Sequence, residues 1–99
     1  MKTLITAATS GEAQQLKNKL DADAVILGDY LQLPEFMVKA GNLIPLPDPK
    51  SIAYAHEMLA LCLDNEIQTI YPLREQEKIL LKEAEQLFQE YDIIIVCDF

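Results

Sequence analysis

Ninety-nine residues suffice for one compact core and fall short of two, because small domains bury a smaller share of their surface; the chain reads as one domain over 1–99. With 51% hydrophobic and 24% charged residues its composition is that of a folding globular protein, which excludes a disordered chain. Sixteen acidic against eight basic side chains give a net charge of -8, which repels nucleic-acid phosphates and anionic lipid, so neither nucleic acid nor membrane is an expected partner.

Residues 3–8 after Lys2 are too short and too quickly polar for a secretory signal, and no stretch has the apolar length to span a bilayer; a cytoplasmic location is the default expectation. Cys62 and Cys97 lie far apart, without Cys-x-x-Cys spacing or a histidine cluster, so no metal site is expected and both read as reduced, buried thiols.

Leu4-Ile5-Thr6-Ala7-Ala8 predicts a buried strand ending in the turn-like Thr9-Ser10-Gly11. Ala13, Leu16 and Leu20 then recur at helical spacing, and residues 21–23 close that helix. Ala24-Val25-Ile26-Leu27 predicts a second strand stopped by Gly28-Asp29, and strand, helix, strand at this spacing is the unit of a parallel sheet. Pro34 interrupts the next stretch, where a short helical turn is expected over 35–40, followed by a short strand at Leu43-Ile44 that extends at most to Leu46.

Asp48-Pro49 opens a helix well, aspartate capping the free amides and proline fitting the first position. Its buried face is expected at Ile52, Ala55, Leu59, Cys62 and Leu63, with an end at Asn65. Residues 68–73 contain a fourth strand stopped by Pro72; one long helix follows, marked by Leu80, Ala84, Leu87, Phe88 and Tyr91. Ile93-Ile94-Ile95-Val96-Cys97 is the strongest strand signal and predicts a strand buried on both faces. The expected fold is α/β with a mostly parallel sheet of about five strands.

Ligands of parallel α/β sheets bind beyond the carboxyl ends of the strands, which directs attention to Thr9-Ser10-Gly11, Asp29, residues 74–77 and Asp98. Thr9, Ser10 and Gly11 offer hydroxyls and a helix N-terminus to an anion, but Thr9-x-x-Glu12 fits a capping box and Glu12 repels anions, so plain capping is favoured. Asp29 stands where dinucleotide enzymes place an acid for ribose hydroxyls; without a Gly-x-Gly-x-x-Gly fingerprint a solvated turn aspartate is the simpler reading. Arg74, Glu75 and Glu77 open the long helix, where acids complement its dipole. His56 has no evident nucleophile beside it, and no catalytic residue is assigned.

Leu4-Ile5-Thr6 with Ser10-Gly11, Val25-Ile26-Leu27-Gly28-Asp29, Leu33-Pro34 leading to Leu43-Ile44-Pro45, and Ile70-Tyr71-Pro72-Leu73 with Glu77 occur in an order that resembles the N-terminal domain preceding the ATP-grasp fold, as in carbamoyl-phosphate-synthase-like and pyrrolysine-biosynthesis-type ligases. The resemblance implies a three-layer Rossmann-like (pre-ATP-grasp) domain lining one wall of a substrate cleft, with Ser10, Gly11 and Glu77 facing the acceptor substrate. It implies a small carboxylate or amino-acid-like substrate and an ATP-grasp domain in cis or in trans. ATP and magnesium belong to those further domains, so no cofactor is expected in this chain.

The expected function is therefore the substrate side of an ATP-dependent ligase, not catalytic alone, with Thr9, Ser10, Gly11, Asp29, Arg74 and Glu77 as candidate binding residues. The competing expectation is a non-enzymatic interaction or regulatory domain on the same scaffold, which Glu12 in the first turn motivates. A flavodoxin-like nucleotide binder is a third, weaker alternative.

Overall fold

A computed structural model of the chain describes residues 2–8, 10–20, 25–30 and 43–97. Thr9, the helix closure at 21–23, the turn expected at 35–40 and Asp98 lie outside the described residues. Among the described residues nine elements follow in chain order: β1 (Lys2–Ile5), α1 (Gly11–Lys19), β2 (Val25–Asp29), β3 (Leu43–Pro45), α2 (Tyr54–Asp64), β4 (Ile67–Tyr71), α3 (Glu75–Glu83), α4 (Glu85–Gln89) and β5 (Ile94–Ile95). The strands form one sheet in the order β3-β2-β1-β4-β5, and every pair is parallel. This order matches five strands of the doubly wound Rossmann-like sheet, whose direction reverses between β1 and β4.

Successive side chains on a strand face opposite ways, so Leu4 and Ile5 of β1 belong to different cores. Leu4 joins Ile67, Ile70 and Ile95 under Tyr54, Met58 and Cys62 of α2, Leu81 of α3 and Phe88 of α4. Ile5 joins Leu27 and Leu43 under Ala13 of α1, with Leu16 and Leu20 alongside. Three layers result: α1, the sheet, then α2 to α4.

Several expected boundaries shift for local reasons. Gly28 and Asp29 do not stop β2 but complete it, pairing with Ile44 and Pro45. Asp48 does not cap α2; its carboxylate accepts from the Lys50 amide at 2.9 Å and closes a turn instead. The helix therefore starts at Tyr54, which leaves Ile52 before it and fully exposed. The buried face of α2 is Tyr54, Met58, Leu59 and Cys62, while Leu63 is exposed. Its C-cap is Asn65, where the sequence ends it.

The long helix expected after β4 is two helices. Ala84, at φ -99° and ψ 11°, leaves the helical path and serves as the C-cap of α3 and the N-cap of α4. Leu81 before the break and Phe88 after it are both fully buried, whereas Tyr91, placed on the same stripe by spacing, is exposed. The run 93–97 contributes only Ile94–Ile95 as a strand, at the sheet edge. Ile93 and Ile95 enter the core under α2 to α4, but Ile94 is 60% exposed, because the core beneath α1 does not extend to β5. β5 is thus buried on one face, not two.

Candidate functional site at the strand ends

The apolar strands carry three fully buried polar side chains to one end of the sheet: Thr6 just after β1, Asp29 at the end of β2, and Glu77 in the first turn of α3. Burying such groups is costly unless each is paired. Arg74, the N-cap residue of α3, supplies the main pairing. Its Nη2 lies 3.0 Å from both Oδ1 and Oδ2 of Asp29, and its guanidinium stacks 5.0 Å from the centre of the Tyr30 ring. Thr6 anchors the same corner, its Oγ1 accepting from the Leu73 amide at 2.8 Å.

Glu77 is held from the other side. The Tyr54 hydroxyl donates to Glu77 Oε2 at 3.2 Å, joining α2 to α3. Oε1 lies 4.0 Å from Arg74 Nε, and both atoms are buried without a hydrogen-bond partner. Burial pushes the Glu77 carboxyl above the ordinary glutamate range, an effect that Asp29 reinforces and that Thr6, Tyr54 and Arg74 oppose. The Tyr54 phenol is likewise raised, first by burial and then by the charge of Glu77.

Asp29 is therefore no solvated turn residue; it is fully buried and paired with Arg74. Asp29, Arg74 and Glu77 form one cluster at the switch point, while Ser10 and Gly11 serve the start of α1. Ser10 is its N-cap: its Oγ accepts from the Ala13 amide at 3.3 Å and donates to the Ala7 carbonyl at 2.8 Å. A cap from Thr9 lies outside the described residues. Two amides of this turn are also committed, Ala8 to Gly28 O at 3.0 Å and Ser10 to Ala7 O at 2.9 Å. Ala7 sits at φ 54°, a left-handed turn made without glycine.

Compared with family models and with curated proteins, the chain matches neither. The site thus rests on its own geometry. Sequence reasoning missed Thr6, Tyr30 and Tyr54, which read as strand, loop and helix residues; only a polar threonine inside an apolar run hinted at the first. His56 is exposed on α2. Among the described residues no group of three or more histidine, cysteine, aspartate or glutamate side chains is arranged to hold a metal ion.

Two shallow grooves have none of Asp29, Arg74 and Glu77 in their lining. One, of about 230 Å³, runs between α1 and Leu73 and is lined by Glu12, Gln15, Leu16 and Lys19. The other, of about 380 Å³, lies beside α3 and is lined by Glu75, Lys78, Ile79, Lys82 and Cys97. No described helix is long and apolar enough to cross a membrane.

Proposed function

We propose that the chain is the substrate-side module of an ATP-grasp ligase of the carbamoyl-phosphate-synthase-like kind, not catalytic on its own and completed by an ATP-grasp domain in cis or in trans. The observation that carries this reading is the polar cluster of Asp29, Arg74 and Glu77 at the carboxyl ends of a parallel β3-β2-β1-β4-β5 sheet, where α/β proteins bind small molecules. The first turn favours the same division of labour: its Ala8 and Ser10 amides are spent within the fold, and Glu12 in the first turn of α1 repels phosphate. ATP and magnesium would be held by the further domain, and the acceptor would be a small carboxylate or amino-acid-like molecule.

Calorimetric titration with ATP and magnesium tests the division. No heat of binding to the chain alone is expected, and clear binding would overturn the module reading. Native mass spectrometry of the purified chain adds a second arm, in which a small metabolite retained by wild type and lost in Arg74→Met supports a substrate site.

A second reading, a non-enzymatic interaction or regulatory domain, is favoured by one observation. Arg74 is already engaged by Asp29, and neither described groove has Asp29, Arg74 or Glu77 in its lining. A metabolite retained over the strand ends would exclude it.

A further inference from the structure

We propose that the buried Glu77 carboxyl is a proton switch that sets how Arg74 is divided between Asp29 and Glu77, and thereby which guanidinium edge faces the strand ends. Two acids share one base here. Asp29 holds Nη2 through two 3.0 Å contacts from the same nitrogen. That leaves Nε turned toward Glu77 at 4.0 Å from its Oε1, with donor and acceptor both buried and unpartnered.

An ionised carboxylate and a guanidinium in a water-poor site close to a charge-assisted hydrogen bond of about 2.8 Å. A neutral Glu77 would leave the arginine to Asp29, and the 4.0 Å gap is compatible with that arrangement. Loss of the proton draws Nε inward by roughly 1 Å, to that hydrogen-bonding distance. Because the guanidinium is planar and rigid, Nη2 on Asp29 and the stack on Tyr30 must move with it.

Among the described residues, the groups facing Glu77 are Tyr54 of α2, Thr6 after β1, Asp29 of β2 and Arg74 at the N-cap of α3. Burial and Asp29 favour the neutral form, whereas Thr6, Tyr54 and Arg74 favour the ion, so the balance is set by competing neighbours and responds to small changes at the site. The switch uses only the chain's own residues and holds whichever ligand the strand ends bind.

The test is a pH titration of the full chain by NMR, following the side-chain carboxyl carbons of Glu77 and Asp29 and the Nε–H of Arg74. The expected result is a Glu77 midpoint above the ordinary glutamate value, with the Arg74 signal moving at that same midpoint. In Glu77→Gln the Arg74 signal should be flat across that range. The wild-type titration decides the matter even if the variant folds poorly. A Glu77 midpoint at or below the ordinary value, or an Arg74 signal indifferent to Glu77 ionisation, overturns the proposal. Neither result bears on ATP binding, so the module reading stands or falls separately.

Discussion

Arg74 Nη2 lies 3.0 Å from both carboxylate oxygens of Asp29, a fully buried acid 45 positions earlier in the chain, and this one ion pair ties the start of α3 to the end of β2. Replacing Arg74 with methionine keeps the stem's packing and removes the charge, leaving Asp29 buried without its main counterion. Breaking a buried pair from one side costs about 3–5 kcal/mol. Here about 2–3 kcal/mol is expected, because the arginine side chain is 29% exposed and Asp29 keeps further interactions. Urea unfolding near neutral pH measures it, and an unchanged midpoint would show that the pair contributes nothing.

Glu77 gives stability a pH dependence of definite sign. Its folded carboxyl holds a proton to higher pH than an unfolded glutamate does, so between those two values the folded state binds more protons. The contribution is complete below the unfolded value and is lost as pH rises through the folded one. Wild type should therefore lose stability, relative to Glu77→Gln, as pH rises through that interval. Urea midpoints of the two proteins, measured side by side across roughly pH 4–8, should diverge; parallel curves would contradict the raised carboxyl.

Gly28 is needed for close approach, not for an unusual backbone angle. A Cβ at this position would stand 2.8 Å from Cγ and Cδ2 of Leu46 and 3.1 Å from the Ile44 carbonyl. Leu46 is itself buried and cannot retreat freely. Gly28→Ala should cost about 1–3 kcal/mol through overpacking, and thermal unfolding should reveal a lower midpoint.

The two thiols should separate by reactivity. Cys62 is fully buried under α2, and burial pushes its thiol up to about 12, so almost none is thiolate at mildly alkaline pH. Cys97 is only half-buried, beside Lys78 and Lys82. Iodoacetamide at mildly alkaline pH should label Cys97 in the native chain and reach Cys62 only in denaturant, as peptide mass mapping would report. Fast native labelling of Cys62 would mean that α2 opens readily.

Local patterning carried the strand, helix, strand order, the parallel sheet and the stop of β4 at Pro72, because burial on both faces and proline's missing amide leave marks on adjacent residues. It failed where two local solutions compete. Asp48 can cap a helix or close a turn, and it closes the turn with Lys50. The apolar spacing from Leu80 to Tyr91 fits one helix as well as two, and the break at Ala84 leaves no mark in it, because Leu81 and Phe88, two turns apart, reach the same core either way.

The candidate site divides the same way. Position after a strand was enough to single out Asp29, Arg74 and Glu77, because chain order places those residues at the carboxyl end of a parallel sheet. Their charge state and partners were not legible. Asp29 reads as a solvated turn residue until Arg74 is brought to it, and Tyr54 reads as one more helix residue until α2 packs beside α3 and its hydroxyl reaches Glu77. The sequence by itself determined an acidic α/β chain with polar residues after its strands, since composition and periodicity are local properties. Only the tertiary structure decided that two acids share one arginine there, because burial and pairing depend on residues far apart in the chain.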